Sequence, residues 1–184
     1  VKTKKIGLTL FILMSTLVQS AEEGIYKVVK GRIALLSYAP LEVIKAHSDK
    51  LVGAINTKEN TFAFTVENGT FEGFNSDLQR EHFNDNYLET NKFPKSIFLG
   101  KIIEKINYAE VGVHEVRAKG KLTVHGVEQE RIIKAKLDVR ENKIIVQSTF
   151  KVLLKDHNMV IPKIVYQKVA EEIELELNAE LIKK

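Results

Sequence analysis

The sequence predicts an all-β domain of about eight antiparallel strands, folded as a closed barrel or a two-layer sandwich. Three observations predict it. Apolar residues recur at every second position over several segments between Thr61 and Leu181, which sets them on one face of a sheet. Turn-forming residues separate those segments. Lysine and glutamate occupy the alternate positions, so each strand is apolar on one side only, and closure or a second layer must cover that side. A charged outer face also argues against insertion in an outer membrane, where that face would be apolar.

The chain begins with Lys2, Lys4 and Lys5, followed by an apolar run from Ile6 through Met14 to Val18 and small residues at Ser20 and Ala21. That order is the order of a secretory signal peptide, with cleavage after Ser20 and with Val18 and Ser20 at the −3 and −1 positions. The run is shorter than the roughly 20 apolar residues of a membrane span. The expected product is one domain, residues 21–184, periplasmic or secreted, with no integral membrane span after cleavage.

Along that product, residues 61–66 alternate Phe62, Phe64 and Val66 against Thr61, Ala63 and Thr65. Residues 116–124 set Val116, Ala118, Gly120, Leu122 and Val124 against Arg117, Lys119 and Lys121. Residues 131–139 place Ile133, Ala135, Leu137 and Val139 opposite Ile132, Lys134, Lys136 and Asp138. The clearest run follows, with Ile144, Val146, Ser148, Phe150, Val152 and Leu154 on one parity. Glu67-Asn68-Gly69, His125-Gly126 and Arg140-Glu141-Asn142 read as hairpin connections.

Two segments need arbitration. Ser76-Asp77-Leu78-Gln79 has the form of a capping box and predicts a short helix ending near Asn86-Tyr87, with Pro94 barring continuation. The C-terminal segment is rich in helix formers. Yet Ile173, Leu175, Leu177, Ala179 and Leu181 alternate without a break against Glu172, Glu174, Glu176, Asn178 and Glu180. A helix would turn Leu175 about 200° from Ile173, onto the wet side, so the segment reads as a strand.

Composition narrows the function. The chain is 44% hydrophobic and 28% charged, an ordinary globular balance that excludes disorder and coiled coil. Cysteine is absent, which excludes disulfides, thiolate metal sites, cysteine catalysis and a lipid-modified N-terminal cysteine. Three of the 28 basic side chains and none of the 24 acidic ones lie in residues 1–20, leaving 25 against 24 and a net charge of +1. A nearly neutral product offers no electrostatic reason for a nucleic-acid partner. The chain is compatible with a homodimer.

Two blocks carry more than periodicity. One runs from Gln79 to Pro94 and on through Ser96-Ile97-Phe98, a charged helix leading to Lys92-Phe93-Pro94 and a phenylalanine four residues later. The other is Gly120-Lys121-Leu122-Thr123-Val124-His125-Gly126-Val127. In order and spacing the two resemble the YceI-like lipid-binding family, over nearly the whole of the exported chain. The first third departs from the family pattern at residues 33–40, with His47 and Gly53 differently placed, and so does Met159-Val160-Ile161-Pro162. The resemblance implies a lipocalin-like, eight-stranded antiparallel barrel with one short helix near one end. It implies an exported, non-catalytic carrier or sensor holding an isoprenoid-like lipid or quinone, with no cofactor.

A barrel of eight strands is either filled by its own side chains or holds one small ligand. The filled case describes a structural or partner-binding envelope module. In the hollow case, strand parity offers Phe62, Phe64, Val66, Phe71, Phe98, Leu122, Ile144, Val146, Phe150, Val152, Leu175 and Leu177 as lining residues. His125, at its His-Gly turn, either closes the hairpin through a hydrogen bond or meets a ligand headgroup at the barrel mouth. The five histidines are dispersed, without an H-x-x-H or HExxH arrangement, so no metal site is predicted. No Gly-x-Ser-x-Gly elbow or glycine-rich phosphate loop occurs, so no catalytic residue is predicted either.

Overall fold

The computed structural model describes residues 24–184; the N-terminal apolar run and its cleavage site lie outside the described residues. Nine strands follow in chain order: β1 (Ile25–Tyr38), β2 (Val43–Ser48), β3 (Val52–Asn56), β4 (Thr61–Glu67), β5 (Lys95–Ile102), β6 (Gly112–Val124), β7 (Val127–Arg140), β8 (Lys143–Leu153) and β9 (Glu172–Lys183). All pairings are antiparallel, and β1 pairs with β9 along most of its length, closing the sheet. The result is a barrel of eight walls, because β2 and β3 share one wall. Tyr38 faces Val43 and Ile33 faces Ser48, while Lys27 faces Ala54 and Ile25 faces Asn56, all in a single register. β2 and β3 are thus one strand broken at residues 49–51. Opposite, β1 bulges between Val28 and Lys30, which bends the long strand around the barrel.

Parity decides what points inward. Phe62, Phe64 and Val66 of β4, Val116, Ala118 and Leu122 of β6, and Ile133, Leu137 and Val139 of β7 are all buried. Outside, cross-strand pairs such as Lys121–Glu128, Lys151–Glu172 and Lys143–Glu180, each at 2.8 Å, lie on the surface, where such pairs contribute little stability. β9 is a strand despite its helix-forming composition, because it pairs with both β8 and β1 and buries Leu177, Ala179 and Leu181. Tertiary pairing outweighs local propensity here.

The two ends of the barrel differ. At the end holding the β7–β8 turn, Tyr26, Val139, Ile144, Ala179 and Leu181 fill the interior. The chain between β5 and β6 folds over this end and packs Ile106 and Tyr108 against it. Asn60 fastens that cover: its amide donates to the Ile102 and Glu104 carbonyls at 2.9 and 2.7 Å, and its oxygen accepts from the Tyr108 hydroxyl at 2.7 Å. Burial pushes the Tyr108 phenol up to about 12.

At the opposite end the chain leaves β4, bridges β2 once through the paired backbone hydrogen bonds of Glu72 and His47, and rejoins the sheet as a strand at β5. Glu67-Asn68-Gly69 is therefore not a hairpin turn. It opens a long excursion, and the reason lies in the Asn68 side chain, which is fully buried. Its amide donates to the Phe93 carbonyl, its oxygen accepts from the Ser96 hydroxyl, and its backbone N–H donates to the Pro94 carbonyl, each at 2.8 Å. Asn68 so pins the departing chain to the returning one. Helix α1 (Asp77–His82) lies within the excursion, with the Ser76 hydroxyl accepting from the Gln79 N–H at its start. It widens into a π-type turn at Phe83–Tyr87, where the Leu88 N–H donates to the Phe83 carbonyl at 2.9 Å.

Candidate functional site

Between the filled end and α1 the barrel is hollow. The cavity measures about 490 Å³ and opens among α1, the turn after β1 and residues 162–170, with Leu78, Glu42 and Lys168 at its border. On one wall Phe62 and Phe98 meet at 4.8 Å between ring centroids. Across the open end Phe83 packs against Phe71 at 5.4 Å and Phe74 at 5.0 Å. Tilted aromatic pairs of this kind hold a wall rigid while presenting hydrocarbon to the interior.

Phe62, Phe64, Val66, Phe71, Phe98, Leu122, Val146, Phe150, Val152, Leu175 and Leu177 all line this cavity. Ile144 and His125 do not. Ile144 shares the inward parity of Val146, but pairs with Val139 and Leu181 at the filled end, where no space is left. Both ring nitrogens of His125 are already engaged by the protein. Nδ1 lies 3.1 Å from the His157 carbonyl and Nε2 lies 2.6 Å from the Glu89 carboxylate. His125 fastens the rim of the barrel and has no nitrogen left for a headgroup.

Sequence reasoning missed other lining residues. Phe74 and Phe83 lie off the strands, so parity says nothing about them. Ile33 and Leu35 point inward from β1, but the run Ile33-Ala34-Leu35-Leu36 is apolar on both faces and conceals its alternation.

Hydroxyl and amide groups on the interior wall are satisfied internally. Thr65 donates to the Ser96 carbonyl at 3.1 Å, Ser96 to Asn68, and Ser148 to the Lys134 carbonyl at 2.6 Å. The Ser37 hydroxyl accepts from the Ala170 N–H at 2.9 Å. Among the described residues, the buried side-chain atoms without a partner are Asn84 Oδ1, His114 Nε2 and His157 Nε2, and none of those three residues lines the cavity. The deep interior therefore offers mainly hydrocarbon contact, and the other polar side chains that line the cavity, among them His82, Tyr87 and Lys168, come from α1, its π-type turn and the loops at the opening. Polar groups gather at the opening, where Gln79 donates to Glu42, closing α1 onto the turn after β1.

The two sequence blocks that carried the family resemblance meet at this rim. The Phe93 ring packs edge-on against His125 at 4.6 Å and lies directly over Gly126. A Cβ at Gly126 would fall 2.4 Å from that ring, and φ there is +71°, a left-handed value. Gly120 is demanded by close approach: its Cβ would meet the Leu99 carbonyl oxygen at 2.2 Å, where β5 and β6 run together. These residues build the rim and wall of the hollow rather than its lining.

Glu89 completes the rim. The hydrogen bond from His125, with Lys92 nearby, holds its carboxyl below the usual carboxylate range. A depressed folded-state value contributes stability that is present above the unfolded value and is lost as pH falls through the folded one. Glu89→Gln should therefore lower the melting temperature at neutral pH. The gap from the parent should shrink on acidification and vanish once Glu89 itself is protonated. Thermal melts across that range check this; a gap that does not change with pH would contradict it.

Among the described residues, one cluster outside the cavity has metal-ligand chemistry. His47 Nε2 lies 3.8 Å from Asp49 and 3.6 Å from Glu72, but Arg32 already grips both Asp49 oxygens at 2.8 and 3.0 Å. No described helix is long and apolar enough to cross a membrane.

Comparison with known proteins agrees with this architecture. The YceI-like domain family matches residues 21–181. A polyisoprenoid binding domain from Saccharophagus degradans, implicated in plant cell wall breakdown, superposes with a TM-score of 0.70 at 13% identity, over 86% of this chain and 98% of that one. BcnA of Burkholderia cenocepacia gives a TM-score of 0.67 at 9% identity, over 82% of this chain and 95% of that one. The YceI protein of Campylobacter jejuni gives 0.56 at 14% identity, over 98% and 94% respectively. No curated protein matches by sequence. At these identities the superpositions establish the shared fold, and the family match establishes the lineage: the chain belongs to the YceI-like domain family.

Proposed function

We propose that this protein is an exported, non-catalytic carrier or sensor of a long apolar lipid, an isoprenoid chain or an isoprenoid quinone, held inside the barrel. The observation that carries the reading is the hollow of about 490 Å³ with no unpartnered buried polar atom on its wall. Such a cavity selects chiefly by hydrocarbon contact. An isoprenoid tail burying about 400 Å² of apolar surface would gain roughly 10 kcal/mol gross. Lost translational freedom and tail ordering take back several kcal/mol. Micromolar or tighter retention follows without a headgroup contact, and so does weak discrimination between chains of similar girth. The polyisoprenoid-binding description of the Saccharophagus domain supports the same ligand class. A hollow interior favours a carrier over a partner-binding envelope module, which would need the space filled.

The test is direct. Protein stripped of lipid by organic solvent and refolded is equilibrated with a radiolabelled long-chain polyprenol, then passed through gel filtration. Co-elution at about one chain per barrel, with micromolar or tighter affinity, is expected. A refolded barrel that elutes free of label at saturating polyprenol would refute the reading.

A further inference from the structure

We propose that the solid end of the barrel acts as a ruler, so that the hollow takes about four isoprene units and leaves the rest of any longer chain outside the opening. The inference rests on the lipid-binding reading of the cavity and adds the length of chain that the cavity selects. The floor of the hollow is sharp. Leu137 of β7, Val146 of β8 and Leu177 of β9 line the cavity. One inward position further from the opening, Val139, Ile144 and Ala179 do not, and with Leu181 they are between 0% and 3% exposed. Ile144 faces Val139 on one side and Leu181 on the other, so these side chains form one layer across three strands. Ile106 and Tyr108 pack against the same core from the chain between β5 and β6, and the Tyr108 hydroxyl is tied to Asn60. A chain pushed deeper would have to displace close-packed side chains.

Volume and depth give the same length. A dry apolar cavity of about 150 Å³ holds one benzene, or about 25 Å³ for each carbon. At that density a hollow of about 490 Å³ takes roughly 20 carbons, four isoprene units. Depth is read along β6, where Val116 lines the deep limit of the cavity and Val124, eight residues on, lines it at the rim. At about 3.3 Å per residue on strands tilted by about 40°, the hollow is about 20 Å deep. Three bonds of an extended chain advance about 3.8 Å, so the four-carbon repeat of an isoprenoid advances about 5 Å, and about four repeats reach from floor to rim. Because the same four units account for both measures, the bound chain lies extended and does not fold back on itself.

The experiment loads lipid-stripped, refolded protein with labelled farnesol, a prenol of three units, and displaces it with unlabelled prenols of two, three, four and six units. Competing potency should rise at least about fivefold with each unit up to four, as each buries further apolar surface, and change less than about twofold from four units to six. Ala118→Phe moves the limit. Ala118 lines the hollow beside Val116, near the floor, and is 8% exposed. The six added carbons take the space of about one isoprene unit, so potency should stop rising at three units. The melting temperature of that variant should hold, since the ring fills a void; the parent series carries the test whatever the variant's stability. Potency that keeps climbing from four units to six, or a folded variant with the parent's profile, would overturn the ruler and leave the lipid-binding reading standing. Labelled farnesol that never binds the parent protein would instead count against the lipid-binding reading itself.

Discussion

Phe150→Asp should reduce polyprenol retention at least a hundredfold. Phe150 comes from the middle of β8 and lines the cavity between Val146 and Val152. A carboxylate there has no partner on a wall whose polar groups are already satisfied. Burying it unpaired costs several kcal/mol, so the site must hydrate, protonate or open, and each outcome removes apolar contact from the ligand. Because such a variant also loses fold stability, a second change separates lining from folding. Ala135→Phe projects a ring into the same space from β7, where Ala135 lines the cavity half-buried. It should block the lipid while leaving the melting temperature equal or higher, since filling a void restores contacts that an empty cavity forgoes. Equilibrium binding of labelled polyprenol, read beside thermal melts, distinguishes the two. Full retention by both variants would move the ligand out of the barrel.

Gly126→Ala should destabilise the domain by about 2–4 kcal/mol, a large share of the stability of a small barrel. The added Cβ would stand 2.4 Å from the Phe93 ring at a backbone φ of +71°. It strains the β6–β7 turn and pushes Phe93 off His125 together. Because Phe93 supplies the carbonyl that holds Asn68, the damage extends to the start of the excursion that carries α1 across the opening. Gly69→Ala is the control, since nothing lies within 4 Å of a Cβ there, and it should be neutral within about 0.5 kcal/mol. Urea unfolding with the slope compared reads both; equal midpoints for the two variants would contradict the role given to the Phe93–Gly126 contact.

Strands with charge on one face were plain in the sequence. β4, β6, β7, β8 and β9 alternate cleanly because their outer faces meet water. β1 to β3 were opaque for two physical reasons. β1 is apolar on both parities around residues 33–36, and its partner wall is broken at residues 49–51, so neither keeps a simple period. The capping signal at Ser76 was legible because it is local. The fate of Glu67-Asn68-Gly69 was not, because Asn68 takes its partners from Phe93, Pro94 and Ser96, far along the chain.

The candidate site divides in the same way. Parity tells which side chains face inward, and it placed Phe62, Phe64, Phe98 and Phe150 on the wall. It carries no information on depth along the barrel axis. Ile144 and Val146 therefore looked equivalent, although cross-strand register sets one in the solid end and the other in the hollow. His125 stands in a conspicuous His-Gly motif. Its left-handed backbone at φ 51° and its two bonded nitrogens show that the motif records how the rim is built, a role that is visible only once Glu89 and His157 are seen beside it.

Native mass spectrometry of the protein recovered after export decides whether the barrel carries a lipid. A folded barrel is expected to bear a noncovalent mass that organic solvent releases as an apolar chain, and that Ala135→Phe lacks. A folded barrel of bare polypeptide mass, yielding no lipid on extraction, would contradict the carrier reading.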